Sequence, residues 1–168
     1  MKAVIISALS SGQGKTLFTI SLLQWLKAQS NKVRPFKVGP DFIDPQFHKK
    51  ITGNDSINLD LQMMSPEETS HVFSYYAKGM DYSIIEGVMG FYDGLDYRSS
   101  TYDIGYTLKV PTILVISAEG SYVTISAALK GILDYRQNNT VKGIVLNKIS
   151  SERHFKVVSD QIKADHPQ

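Results

Sequence analysis

The sequence predicts an α/β fold: a mostly parallel sheet with helices on both faces. Three observations carry this. Short Ile/Val-rich runs recur along the chain and are apolar at successive positions, as in strands buried on both sides. Segments with a helical apolar stripe lie between those runs. A glycine-rich turn joins the first run to the first stripe. Strand–helix alternation of this kind builds βαβ units with right-handed crossovers.

The elements follow in chain order. Residues 3–7 form the first run, and Phe18, Leu22, Trp25 and Leu26 then repeat at helical spacing. Residues 33–38 make a weaker strand, interrupted by Arg34, Pro35 and Lys37. Ser65-Pro66-Glu67-Glu68 joins an N-cap, a proline at the first helical position and a glutamate three residues after the cap. It predicts a helix through about Tyr76. Residues 82–85, 112–116 and 143–146 are the remaining strands, and Ile125, Ala128, Leu129, Ile132 and Leu133 mark the helix between the last two. Two connections, from Gly39 to about Met64 and from Gly87 to about Thr101, exceed the ~2–6 residues usual in such units. Both follow strand C-termini, where open α/β sheets bind ligands.

The chain has 168 residues, 42% hydrophobic and 20% charged, which suits one soluble domain over 1–168. A net charge of +2 is too small to argue for nucleic acid, no block of like charges forms an arm or tail, and no nucleic-acid partner is expected. The absence of cysteine excludes disulfides, thiolate metal sites, Fe–S clusters and a cysteine nucleophile within these residues. No stretch approaches the ~18–20 apolar residues of a membrane span, and the first run is too short for a signal-peptide core. The expectation is a cytoplasmic protein with no membrane partner.

Ser10-Ser11-Gly12-Gln13-Gly14-Lys15-Thr16 follows the first strand and opens the first helix. Glycines let the backbone wrap so that N–H groups face phosphate oxygens, and the helix N-terminus adds positive potential. Lys15 would neutralise the terminal phosphates, and the Thr16 hydroxyl would bind Mg²⁺. The motif has glycine at its first position, where this chain has Leu9. Ser11, Gly12, Gln13, Gly14, Lys15 and Thr16 are thus the expected ATP-binding residues of a P-loop NTPase-type fold. Glu86, where an apolar strand ends, is placed to hold Mg²⁺ directly or through water, with Gly87 and Gly90 allowing close backbone approach.

Further along, Lys37-Val38-Gly39-Pro40-Asp41-Phe42-Ile43-Asp44-Pro45-Gln46-Phe47-His48 gives the strongest clue. With Ser10–Thr16, Glu86–Gly94 (EGVMGFYDG) and Ser151-Glu152-Arg153-His154, it resembles the N-terminal synthetase domain of the cobyrinic acid a,c-diamide synthases. These enzymes are relatives of dethiobiotin synthetase among P-loop enzymes, and the resemblance covers essentially the whole chain. It implies that ATP·Mg²⁺ phosphorylates the a and c acetate side chains of a corrin in turn, and that ammonia displaces phosphate from each acyl phosphate. It also implies a corrinoid polycarboxylate substrate and a C-terminal glutaminase domain that supplies ammonia from glutamine and is absent from these residues, so that the chain is one part of a longer enzyme. A homodimer is open.

Residue chemistry agrees with this. Phosphate transfer to a carboxylate joins two anions, so cations must screen them. Lys15 on the triphosphate and Lys37 toward the transferring group form the natural pair. Asp41 and Asp44 can bind Mg²⁺ or orient the incoming amine, or else serve turn and cap chemistry before Pro45. The expected catalytic set is Lys15, Lys37, Asp41, Asp44 and Glu86, and the expected metal set is Thr16, Asp44 and Glu86. His48 is either a substrate contact or a surface residue. Asn147 reads the adenine edge in the family, or else caps the following helix. Arg153 and His154 are rim cations or solvated helix residues, and Phe91 and Tyr92 line a macrocycle surface or anchor their loop.

The chain departs from the family pattern at Ala8-Leu9, where Gly-Thr is frequent, and at Ser117, where Asp is frequent. Amidation of another tetrapyrrole, such as nickel sirohydrochlorin, is the neighbouring reading. Partition and division ATPases are the reading from another class. Ser10 takes the place of their signature lysine, and no basic or amphipathic C-terminal helix is expected.

Overall fold

The structure, a computed structural model, describes residues 2–94 and 98–167. Its elements run β1 (Lys2–Ala8), α1 (Lys15–Ala28), β2 (Val33–Val38), α2 (Asp44–Thr52), β3 (Ile57–Leu59), α3 (Pro66–Ala77), β4 (Tyr82–Glu86), α4 (Thr101–Leu108), β5 (Thr112–Ser117), α5 (Thr124–Asp134), β6 (Val141–Asn147) and α6 (Glu152–Asp165). The strands form one six-stranded sheet in the order β3-β2-β4-β1-β5-β6, with every pair parallel.

Alternate side chains of each strand bury against different helices. Ile5, Phe36, Val38, Leu59 and Ile85 meet Phe73 and Ala77 of α3 and Ile104 of α4. Ile6, Val33, Ile84 and Val115 meet Leu23 and Leu26 of α1, with Ile51 of α2 packed alongside. Leu114 and Ile116 pack with Ile125 and Leu129 of α5 and Val158 and Ile162 of α6. The neighbouring strands β1 and β4 therefore send their following helices, α1 and α4, to opposite faces. That makes a topological switch point, and the crevice beyond the C-terminal ends of these strands is the binding position such sheets provide. Register places Ile6 and Lys37 on either side of Glu86 at that end.

The expected α/β fold is therefore present, with several differences in detail. The connection over 39–64 is not a plain loop, since it contains α2 and β3. The helix at Ser65 forms as expected, with the capping box complete: Glu68 N–H donates to Ser65 Oγ, and Ser65 N–H donates to Glu68 Oε2. A second capping box, Ser100 with Asp103, opens α4. In α1 the buried residues are Thr19, Leu23 and Leu26, whereas Trp25 is 60% exposed, so the stripe lies one residue round from the expected one. The C-terminal helix α6 is amphipathic after all. Its stripe of His154, Val158 and Ile162 is buried, so it is spent within the fold. Among the described residues, no helix is long and apolar enough to cross a membrane. Residues 95–97 of the second long connection lie outside the described residues.

Candidate active site

The phosphate loop occupies residues 9–14, between β1 and α1. Gly14 has φ +97°, and a Cβ there would lie 2.1 Å from Asn147 Nδ2, so conformation and space both require glycine. Two side chains hold the loop to the sheet. The Gln13 carboxamide oxygen accepts from the Ser117 N–H at 2.6 Å, and Asn147 Nδ2 donates to the Gln13 carbonyl at 2.9 Å. The start of α1 has no acidic residue in its first turn and no side-chain cap, which leaves its N-terminal N–H groups to an anion. Leu9 packs against the cluster containing Leu114 and Ile116. The loop after β4 closes over it so tightly that a Cβ on Gly90 would meet the Leu9 carbonyl oxygen at 2.5 Å.

Beside this loop, Lys37 sits at the centre of three carboxylates. Its ammonium lies 2.5 Å from Asp44 Oδ2, 3.3 Å from Asp41 Oδ2 and 3.3 Å from Glu86 Oε1. Lys37 and Glu86 are both buried, and β2–β4 pairing puts them opposite each other. Burial works against the Lys37 charge, but Glu86, Asp44 and Asp41 outweigh it and hold its pKa above the ordinary lysine value. Burial likewise opposes ionisation of Glu86. The His48 hydrogen bond, the Lys37 charge and the Thr16 hydroxyl overcome it and keep this carboxyl below its usual range. For Asp41 the N–H of Ile43 and the charge of Lys37 outweigh burial, again lowering the pKa. Lys15 goes the other way: burial first, and then the neighbouring Lys37, lower its pKa.

Glu86 joins three elements. Its Oε1 accepts from the Thr16 hydroxyl of α1 at 2.6 Å, and its Oε2 lies 2.7 Å from His48 Nε2 of α2. Asp41 Oδ1 accepts from the N–H groups of Ile43 (2.8 Å) and Asp44 (3.3 Å), so it shapes the entry to α2 while also facing Lys37. Pro45 stands in the first turn of α2. Asp41 therefore does the turn chemistry expected of it, and it also faces Lys37. Asn58 of β3 fastens the same turn, with its amide donating to the carbonyls of Gly39 (2.7 Å) and Asp41 (2.8 Å).

The other sequence-derived positions separate clearly. His48 is neither exposed nor at the rim; it is fully buried, and its Nδ1 lies 3.0 Å from Ser56 Oγ. Asn147 has its amide on the phosphate loop and its Oδ1 on the Lys148 N–H at 2.9 Å, although a carboxamide retains a second N–H and a second lone pair. Phe91 is fully buried, and the Tyr92 hydroxyl donates to the Ile132 carbonyl at 2.8 Å, so both anchor the loop after β4. His154 is buried between two loops, its Nε2 2.8 Å from the Ser121 carbonyl, and Arg153 is exposed. Phe42, Ile43 and Phe47 are 75%, 70% and 51% exposed at the start of α2, an apolar edge next to the Lys37 cluster. Ser56 and Asn58 belong to the site and were not singled out from sequence, whereas Gln13 was expected in the phosphate loop and its side chain also ties that loop to β5. The signal for Ser56 and Asn58 is slight, a serine before and an asparagine inside a three-residue strand.

Mg²⁺ is usually bound by one or two protein groups with water and nucleotide phosphates completing an octahedron. The hydrogen-bonded Thr16–Glu86 pair beside the phosphate loop fits that donor set. Asp44 is engaged with Lys37 at 2.5 Å, so its geometry suits a partner of that lysine better than a metal ligand.

A parallel sheet with a glycine-rich loop at its switch point, opening a helix and ending in Lys-Thr, defines a P-loop nucleotide-binding protein. The chain belongs to the family described as the CobQ/CobB/MinD/ParA nucleotide binding domain, whose model matches residues 4–167. It is 45% identical over 155 residues to a cobyrinate a,c-diamide synthase of Saccharolobus solfataricus, covering 92% of this chain and 36% of that protein. It is 39% identical over 165 residues to a cobyrinate a,c-diamide synthase of Gloeobacter violaceus, covering 96% of this chain and 36% of the relative. The chain thus spans 36% of the length of these curated relatives. Among solved structures it is similar to the hydrogenase maturation factor HypB from Archaeoglobus fulgidus, with a TM-score of 0.61, 18% identity, and 98% of this chain and 74% of that one covered. At that identity the likeness concerns the fold alone.

Proposed function

We propose that the chain is the ATP-binding synthetase part of a cobyrinate a,c-diamide synthase acting in cobalamin biosynthesis in the cytoplasm. The observation that carries this is the buried Lys37 with Asp41, Asp44 and Glu86, set beside the phosphate loop and edged by exposed apolar side chains. The identity to enzymes of that name supports the same reading.

In this reading ATP lies along residues 11–16, with Lys15 on its terminal phosphates and Asn147 at the adenine. Thr16 and Glu86 would hold Mg²⁺, which supplies charge neutralisation between the phosphates when bound. A corrin carboxylate oxygen attacks the γ-phosphorus as the bond to ADP breaks, and Lys37 screens the two anions. The carboxylate is itself the nucleophile, so no general base is needed for this step. Ammonia then attacks the acyl carbon, the C–O bond to phosphate breaks, and the proton lost from nitrogen is taken up by the departing phosphate. Asp41 and Asp44 hold Lys37 in place and orient the incoming amine. Phe42, Ile43 and Phe47 offer an apolar edge to the macrocycle.

The test is ATP hydrolysis with candidate activators. A corrinoid polycarboxylate is expected to stimulate it, with amide product formed from free ammonia by this chain and from glutamine by a protein that also carries the glutaminase domain. Stimulation by DNA or liposomes alone would instead support the partition/division reading, which the family description also spans. Nickel sirohydrochlorin as the better activator would move the assignment to another tetrapyrrole.

A further inference from the structure

Among the described residues, His48 is the one buried titratable group at the site to which this chemistry assigns no task. Its Nε2 lies 2.7 Å from Glu86 Oε2 and its Nδ1 lies 3.0 Å from Ser56 Oγ. An ionised carboxylate can only accept, so Nε2 carries the hydrogen; in a neutral ring Nδ1 then accepts from the Ser56 hydroxyl. The chain of bonds runs Ser56 to His48 to Glu86, with no exposed member at the histidine.

Its position on α2 gives these bonds a consequence. Asp44 and His48 are four residues apart and therefore share one face of the helix. Asp44 reaches Lys37, and one turn later His48 reaches Glu86. The other Glu86 oxygen is fixed by Thr16 at the start of α1. Turning the carboxylate would break bonds to two helices at once. Phe42, Ile43 and Phe47 stand exposed at the first turns of α2. We propose that His48 is a positioning residue that locks α2 to Glu86, so that the α2 edge and the phosphate loop hold a fixed distance across the site. It rests on the proposed reading only in naming the α2 edge as the acceptor side. A buried histidine with both nitrogens satisfied orients its neighbours, which a space-filling apolar side chain would not do.

The test compares His48→Leu, which fills the space, with His48→Gln, whose amide keeps an N–H at similar reach. Turnover of Mg²⁺-dependent ATP hydrolysis is expected to fall on the order of 10–100-fold in His48→Leu, with the KM for ATP changed less than about threefold. His48→Gln is expected to recover most of the loss. Equal turnover in both variants, per folded molecule, overturns the proposal. Nuclear magnetic resonance of ¹⁵N-histidine-labelled protein gives a second readout that needs no turnover. One ring should have Nε2 protonated and hydrogen-bonded, and its signal should vanish in His48→Gln and shift in Glu86→Gln. A ring indifferent to Glu86→Gln overturns the proposal as well. Neither readout involves a corrinoid, so a protein that passes both yet amidates no corrin refutes the proposed function and leaves the role of His48 standing.

Discussion

Glu86→Gln replaces one buried oxygen by an NH₂ group, and the structure allows its cost to be worked through. The carboxylate accepts from Thr16 at 2.6 Å, lies 2.7 Å from His48 and sits 3.3 Å from the Lys37 ammonium. Hydrogen bonds to a charged group contribute about 1.5–3 kcal/mol each and neutral ones about 0.5–1.5, so three weakened contacts lose about 3–4 kcal/mol. Part of this is offset, because the variant no longer buries a charge, and Lys37 retains Asp44 and Asp41. His48 can also swap its proton to Nδ1, donate to Ser56 Oγ and accept from the new amide. A net loss of about 1–3 kcal/mol follows, below the ~5–15 kcal/mol of a typical domain, so the variant folds with its melting temperature lowered by about 3–10 °C. The sign of the pH dependence is fixed. The Glu86 pKa is lowered by folding, so its stabilisation is fully present above the unfolded value and is lost as pH falls through the folded one. Thermal melts followed by circular dichroism should therefore show a constant gap between wild type and variant near neutrality that closes below about pH 4. Mg²⁺-dependent hydrolysis should fall at least about 100-fold over the same range. Undiminished turnover at saturating Mg²⁺ would refute the metal-side role of Glu86, and a gap that widens in acid would refute the ionised, bonded carboxylate.

Three further perturbations test other parts of the site. Gly14→Ala puts a Cβ 2.1 Å from Asn147 Nδ2 at φ +97°, so nucleotide binding measured by calorimetry should be lost, and adding Asn147→Ala should restore only part of it because the backbone strain, about 1–3 kcal/mol, remains. Lys37→Met leaves Asp41, Asp44 and Glu86 without their central cation. It should cost about 3–5 kcal/mol at neutral pH in denaturant titrations, and because the Glu86 and Asp41 pKa values rise without Lys37, the variant should lose less stability than the wild type as pH falls through the carboxylate range. Phe42→Ser with Phe47→Ser alters only exposed side chains. The melting temperature should hold within about 2 °C while the KM for a corrinoid activator rises, and an unchanged KM would remove the apolar edge from substrate binding.

Local signals in the sequence were legible wherever they were strong. The β1 run, the Gly-x-Gly-Lys-Thr turn and the Ser65 capping box each specify their element through neighbours within a few residues, and each forms as expected. Connection 39–64 was illegible for a physical reason. β3 has only three residues with Asn58 at its centre, and α2 is polar on average with just His48 and Thr52 buried, so neither presents an apolar period. What orders α2 lies outside it: Asp44 on Lys37 of β2, seven positions away, and His48 on Glu86 of β4, thirty-eight positions away. The same distinction explains His48 and Phe91. Sequence reveals that a histidine or an aromatic ring is present, whereas its exposure depends on which strand arrives opposite it. Lys37 was expected to screen the transferring phosphate; the structure buries it, and a buried lysine demands a counter-charge. That demand is met three times over, by one carboxylate from a neighbouring strand and two from the following turn. In the proposed phosphoryl transfer, a lysine caged in this way would have little solvent left to rearrange when an anion arrives, an advantage over an exposed cation.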